Sequence, residues 1–396
     1  MSAGEASGDL HGANLIRELR ALDPTIQVEG YGGPRMRAAG QDQWEDLTTF
    51  AVMGLVAVVR HLDALLALLR RTRERLASHP PDAIVLIDYP GLHFQIASMG
   101  KRLRIPVLYY IIPQFWAWGA WRIGKLRRRT DHALVILPFE PAFYAERGVD
   151  VEYVGHPVVD HLETHTTDPA LERALANVDR PRLGILPGSR VQEIEKLLPT
   201  MLRIAADARK RLPKLVVTTS IPADGKRRAA FERLLAASPV PVITLPDDPH
   251  GLMKTSDVCL VASGTATLEL AWIGTPMVVL YRVSPFARAM APLLLRTKSI
   301  GLVNVVAGKR IVPEYLFARE PIAKASADVV EMLTKPGRAD EVRRDLARVH
   351  DLLGSAGASA RTASAVLRFL REEESHAPTL DQRTGASRSG VDDVSG

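Results

Sequence analysis

Leu186-Pro187-Gly188-Ser189-Arg190 decides the reading of this chain, together with Ala262-Ser263-Gly264-Thr265-Ala266-Thr267-Leu268-Glu269 further on. Each stretch ends an apolar run and opens a helical pattern, so each reads as strand, small-residue turn, helix start. A turn of this kind aims backbone N–H groups and a helix N-terminus at an anion. Arg190 adds a fixed cation with bidentate geometry. One such turn would read equally well as a tight βα connection. Two of them, with Arg190 and Glu269 alongside, point to the diphosphate of a nucleotide sugar. The donor-side candidates are Gly188, Ser189, Arg190, Ser263, Gly264, Thr265, Ala266 and Glu269.

Working outward, apolar strand-like runs alternate with amphipathic helical stretches. Strands are expected at 28–31, 83–88, 107–111, 133–136 and 151–154, then at 183–186, 215–218, 242–245, 258–261 and 277–280. Helical segments such as 10–22, 193–211 and 227–236 separate them. This βαβα rhythm predicts an α/β chain with parallel sheets covered on both faces. Two runs divided near 160–179 predict two Rossmann-like domains facing a cleft, with ligands at the carboxyl ends of the strands. The expected boundaries are 1–162, 163–335, helices at 336–374 crossing back to the first domain, and a disordered tail at 375–396.

The start is anomalous. Gly4-Glu5-Ala6-Ser7-Gly8-Asp9 reads as a βα turn with Asp9 as helix cap, yet almost nothing precedes it. The expectation is a missing first strand, or a start codon set too late, with unpaired backbone and a hole in the core. Asp88 ends the run 83–88 ahead of Tyr89-Pro90-Gly91. A carboxylate there faces the expected cleft and, partly desolvated, suits a general base toward a sugar hydroxyl. The alternative is a turn or helix-cap acid.

Length and composition set the bounds. A chain of 396 residues exceeds one ordinary core. Net charge +6 fits anionic small molecules or an anionic membrane surface and falls short of a nucleic-acid arm. The single Cys259, in a strand-like run, excludes an intrachain disulfide and a cysteine zinc cluster. Residues 1–5 carry no signal-peptide pattern. Pro106 and Pro113 interrupt the longest apolar stretch, 105–121. The chain is therefore expected to be cytoplasmic or attached to a membrane surface.

Leu55, Val58, Val59, Leu62, Leu65, Leu66 and Leu69, with Val56 beside them, recur at helical spacing, and Arg60, Arg70, Arg71, Arg73 and Arg75 flank them. Such a stripe either faces a core or, with basic flanks, lies on a bilayer. Tyr109, Tyr110, Phe115, Trp116, Trp118 and Trp121 form core or line a path. Trp116 and Trp118, in a loop, are the functional candidates of this group. Arg122, Lys125, Arg127, Arg128 and Arg129 form a solvated basic helix or dock a phosphate.

With these residues on the page, the chain resembles the lipid-A-disaccharide synthase family, glycosyltransferases of two Rossmann-like domains (the GT-B fold). The matching stretches are Ala3-Gly4-Glu5-Ala6-Ser7-Gly8-Asp9, Gly33-Pro34-Arg35-Met36, Ala51-Val52-Met53-Gly54, Trp116-Ala117-Trp118, Leu137-Pro138-Phe139-Glu140, Val154-Gly155-His156-Pro157, Leu186 to Arg190, Ser263-Gly264-Thr265-Ala266, Pro276 to Tyr281, and Asn304 ahead of Val305-Val306-Ala307-Gly308. Each is weak alone; their shared order is specific.

The resemblance implies UDP-2,3-diacylglucosamine as donor and 2,3-diacylglucosamine 1-phosphate as acceptor. The products are the β-1,6-linked disaccharide 1-phosphate and UDP, formed with inversion. It implies Asp88 as base, Arg190 at the leaving diphosphate, Glu269 on the ribose and Asn304 near the donor; Gly4, Glu5, Ser7, Gly8, Trp116 and Trp118 are acceptor-side or glycine-loop candidates. Domain 1–162 then serves acceptor and membrane, and 163–335 the UDP-sugar. The resemblance also implies a peripheral place on the inner membrane and turns the apolar stripe toward lipid. The UDP-sugar is substrate, so no cofactor and no metal are expected, nor a nucleic-acid partner; a homodimer stays open.

Gly91-Leu92-His93 stands where the family carries Asp-Phe-Asn, and His93 either takes over the polar role or is a helix-surface histidine. Ile112-Pro113-Gln114-Phe115-Trp116 replaces a form containing Ser-Pro. The alternatives are another UDP-sugar enzyme of the same fold, an epimerase or transferase, and a degenerate relative.

Overall fold

Apolar β-branched runs separated by helices form two wholly parallel sheets. The computed structural model describes residues 1–48, 62–117, 119–176, 178–223, 225–294, 297 and 299–376. The first sheet contains β1 (Ser2–Ala3), β2 (Glu29–Gly32), β3 (Asp42–Asp46), β4 (Ile84–Ile87), β5 (Val107–Tyr110), β6 (His132–Val135) and β7 (Glu152–Tyr153), in the order β3-β2-β1-β4-β5-β6-β7. The second contains β8 (Arg182–Leu186), β9 (Val216–Ser220), β10 (Ile243–Leu245), β11 (Val258–Ala262), β12 (Met277–Arg282) and β13 (Glu314–Phe317), in the order β10-β9-β8-β11-β12-β13. Both are doubly wound. Strand order reverses between β1 and β4 and between β8 and β11, and ligands of such sheets gather at those switch points.

The expected gap at the first strand is corrected in part: the carboxyl end of that position is filled, and the expected hole remains below it. Ser2–Ala3 fills the central position, pairing with Tyr31 on one side and Leu86–Ile87 on the other. Two residues cover only the carboxyl end of that position. Below them lies a cavity of about 510 Å³ lined by Met1, Val28, Tyr31, Leu76, Ile84 and Arg371. The Met1 ammonium reaches Glu29 O at 2.6 Å, and burial lowers its pKa to about 6. Strand β3 escaped the sequence reading because it lies at a sheet edge and is mostly polar, Asp-Gln-Trp-Glu-Asp, and β13, Glu-Tyr-Leu-Phe at the edge of the second sheet, because it is only four residues long.

Asp9 is also corrected. It lies inside the helix Ala6–Leu22, whose N-cap is Glu5. Its carboxylate accepts from Gly33 N (2.8 Å), Arg35 N (3.0 Å) and Met36 N (2.9 Å), so it caps the next helix, Pro34–Ala38.

The core under the second sheet's inner face takes in residues from both halves: Trp116 and Leu137 pack with Val158, Val159, Leu162, Leu268 and Leu346. The helix Pro157–Thr164 lies between them. Its Asp160 accepts from Gly357 N, Ala358 N and Ser359 N at 2.7–2.9 Å, capping the helix Ala358–His376. That helix returns to the first sheet, where Ala363, Ala365, Val366 and Phe369 pack with Leu15, Ile16 and Leu19.

Among the stripe residues, Leu65 and Leu69 are half-buried against the first core, whereas Leu66 is 55% exposed. That corrects the lipid-facing assignment of Leu65 and Leu69, because the helix Leu62–Ser78 turns them, with Leu68 and Leu76, inward. Leu55, Val56, Val58 and Val59 lie outside the described residues, as do the Leu62 side chain and 377–396 of the expected tail. Among the described residues, no helix is long and apolar enough to cross a membrane.

Asp160→Ala removes three capping bonds at once, so stability should fall by about 2 kcal/mol. A denaturant titration reading less than about 0.5 kcal/mol would deny Asp160 this anchoring role.

Candidate active site

The loops after β1 and β4 face the loops after β8 and β11. Asp88 follows β4 with φ +52°, and Tyr89 follows with φ +50°. Left-handed backbone in two consecutive non-glycine residues costs on the order of 1–3 kcal/mol each and persists only where the surroundings hold it. Three bonds do so. Asp88 N–H donates to Tyr110 O (3.1 Å). The Tyr109 hydroxyl donates to Asp88 O (2.7 Å), and His93 Nδ1 lies 2.6 Å from the same oxygen. A carbonyl only accepts, so His93 is the Nδ1–H tautomer and its Nε2 accepts from Ser2 Oγ at 2.8 Å. Burial pushes the imidazole down to about 4, which keeps it neutral.

His93 is thus not a helix-surface residue. It is fully buried, and it ties the two-residue strand β1 to the turn that presents Asp88. Gly4 completes the arrangement: a Cβ there would sit 2.3 Å from the Tyr89 ring. Gly8 is buried in the helix that follows, and Ser7 is exposed at its start.

Burial, and then the neighbouring Glu5 carboxylate, raise the Asp88 pKa to about 6, with the Tyr89 backbone N–H and Arg190 opposing. Glu5 also accepts from the Arg190 guanidinium across the cleft at 2.6 Å. Arg190 holds Glu193 Oε1 at 3.0 Å, while Glu193 Oε2 accepts from Ser189 N (3.2 Å) and Arg190 N (3.3 Å). Burial would lower the Arg190 pKa, but the two carboxylates outweigh it and raise it. A carboxylate therefore sits in the anion cradle that the sequence marked. Gly188 is required beside it: its φ is +110°, and a Cβ would lie 2.4 Å from Glu193 Oε2. Glu193 was missed, although an acid three residues into a helix is an N-terminal capping signal.

The turn after β11 is braced from behind. Ser263 Oγ donates to Ile300 O (2.6 Å), and Thr267 Oγ1 donates to Gly264 O (2.8 Å). Nothing lies within 4 Å of a Cβ built on Gly264, so its backbone is open to approach, with Thr265 and Ala266 starting the helix. Glu269, one turn on, lies 3.4 Å from His250 Nε2. Asn304 is 1% exposed and turned to its own loop: Nδ2 donates to Val312 O, and Oδ1 accepts from Ile311 N and Val312 N. Trp116 is buried against Phe139, with Nε1 donating to Glu140 Oε1 (3.1 Å). Tyr109, Tyr110 and Phe115 are core, and Trp121 is 75% exposed. Trp118 lies outside the described residues.

A family model described as lipid-A-disaccharide synthetase matches residues 1–369. The lipid-A-disaccharide synthase of Geobacter sulfurreducens is 40% identical over 372 residues, 94% of this chain and 97% of its own. The chain belongs to the lipid-A-disaccharide synthase family. The family's glycosyltransferase chemistry, in lipid A disaccharide synthesis, is that of a UDP-sugar donor and a lipid acceptor. Two solved structures share the fold. UDP-GlcNAc 2-epimerase from Neisseria meningitidis, bound to UDP-GlcNAc, has a TM-score of 0.62 at 14% identity, over 93% of this chain and 98% of its own. MurG of Acinetobacter baumannii has a TM-score of 0.56 at 13% identity, over 93% and 98%.

Tyr109→Phe removes one clamp on the Asp88 carbonyl and should cost about 1 kcal/mol of stability. His93→Ala removes the other and leaves a void, so its loss should be about 3 kcal/mol. Equal, negligible losses in urea titrations would show that neither clamp holds the turn.

Proposed function

We propose that this chain transfers 2,3-diacylglucosamine from UDP to the 6-hydroxyl of 2,3-diacylglucosamine 1-phosphate, releasing UDP, in one inverting displacement. The observation that carries this reading is Asp88 at the switch point of one sheet, with Arg190 at the switch point of the other and Glu5 between them.

The acceptor oxygen attacks the donor anomeric carbon on the face opposite the diphosphate. As that bond forms, Asp88 takes the hydroxyl proton, and the C1–O bond breaks with its electron pair leaving on UDP. An unperturbed carboxylate is a feeble base. A carboxyl lifted to about 6 is a stronger one and is still ionised at neutral pH. Leaving-group charge is met by Arg190 and by the N–H groups of Ser189 and Arg190, now engaged by Glu5 and Glu193. A diphosphate entering the cradle takes over those donors, and Glu5 is released toward the acceptor side. The helix start at Thr265 and Ala266 faces the same phosphates, and Glu269 takes the ribose hydroxyls.

Helix N-termini and an arginine do what a divalent cation does in other sugar transferases, so the transfer runs without metal or other cofactor. The acyl chains come from a bilayer. Exposed Leu66 beside Arg70 and Arg71 supports a peripheral place on the inner membrane's cytoplasmic face.

Purified protein given both diacylglucosamine substrates should form the disaccharide 1-phosphate equally with and without EDTA. A UDP-sugar enzyme of another kind would consume the donor without making it. Asp88→Asn should lower turnover on the order of 10²-fold or more while UDP binding stays within about twofold; an equal loss of UDP binding would make Asp88 a structural residue. Arg190→Ala should weaken UDP binding and slow turnover together, and unchanged turnover would remove its role.

A further inference from the structure

We propose that His161, His165 and His250 form a binding site for one divalent transition-metal ion of the zinc class. His161 lies on the helix Pro157–Thr164, His165 follows that helix, and His250 lies on the helix Pro249–Thr255. Each offers one ring nitrogen such that the three lie within 4.8 Å of one another, and the ring centroids are 5.0, 5.0 and 6.1 Å apart. Tetrahedral zinc with bonds of about 2.05 Å needs nitrogens about 3.3 Å apart. Closing to that spacing requires the three rings to turn toward a common centre.

Two carboxylates stand where the outer partners of metal-bound histidines stand. Asp248 Oδ1 is 3.0 Å from His165 Nε2, and Glu269 Oε2 is 3.4 Å from His250 Nε2. A carboxylate beside one ring nitrogen leaves the other as the lone-pair donor. Asp248 is itself fixed, accepting from Asp168 N (2.9 Å) and Gly251 N (2.8 Å). His165 Nε2 is buried and lacks a well-aligned hydrogen bond, despite its 3.0 Å approach to Asp248. Burial, then the neighbouring imidazoles, hold His161 below the ordinary imidazole range, and burial does the same for His165 against Asp248. Arg35 and Lys254 face the cluster and offset the two carboxylates. Selection then rests on imidazole donors, which suit zinc, nickel, cobalt and copper, and excludes Mg²⁺ and Ca²⁺. Because Glu269 is also the acid proposed for the donor ribose, the ion would lie beside the donor pocket, and it takes no part in the proposed transfer step.

The test is zinc titration of the full-length chain without a histidine tag, in a competing-chelator assay at pH 7.5. One Zn²⁺ per chain should bind, unaffected by excess Mg²⁺. His161→Ala and His250→Ala should each weaken it at least tenfold, and His79→Ala, distant and exposed, should not. His161 is exposed, so its variant should keep its fold, checked by circular dichroism. Co²⁺ added to the unaltered protein should give the intense visible bands of a tetrahedral site. Substoichiometric binding, affinity unchanged in both variants, or only the pale spectrum of octahedral Co²⁺ would overturn the proposal.

Discussion

Left-handed backbone at Asp88 and Tyr89 is the constraint on which the first half of the molecule depends. Neither residue is glycine, so the conformation survives only through what grips it. Tyr109 from β5 and His93 from the following helix both bond the Asp88 carbonyl, which fixes the His93 tautomer, and Ser2 from β1 donates to its Nε2. Strand pairing sets β1, β4 and β5 side by side, so the topology of the sheet brings these three clamps together. With the carbonyl pinned, the carboxyl is left beside Glu5 in a buried site, where burial and like charge both favour its protonated form.

Charge across the cleft is arranged in series. Asp88 feels Glu5, Glu5 takes Arg190, and Arg190 is shared with Glu193. The Arg190 guanidinium thus bridges the turns after β1 and β8 through Glu5. In the proposed reaction, a diphosphate drawing Arg190 away would leave Glu5 without that partner beside Asp88.

Much of this was legible in the sequence because strand-to-helix turns leave a signature: small residues between an apolar run and a helix. Gly188, Arg190, Gly264 and Asp88 all lie at carboxyl ends of strands flanking the switch points. The rest was hidden for physical reasons. A two-residue strand such as Ser2–Ala3 has no periodicity, and only its neighbours define it. The edge strand β3 is mostly polar and looks like a loop, and β13 is too short for its pattern to stand out. The roles of His93 and Asn304 depend on which backbone groups come near in the fold, which sequence spacing does not encode. The stripe at Leu65 and Leu69 shows the limit of periodicity: one pattern serves a core and a membrane alike, and only burial separates them.

The most direct measurement is the pH dependence of kcat/KM for disaccharide formation, taken for the unaltered chain and for Asp88→Asn. A base must be deprotonated to act, so activity should rise as pH passes through the Asp88 pKa, with a midpoint near 6. In the variant the residual rate should lose that step while UDP still binds. A profile with no step near pH 6, or the same step persisting in Asp88→Asn, would contradict Asp88 as the group that takes the proton.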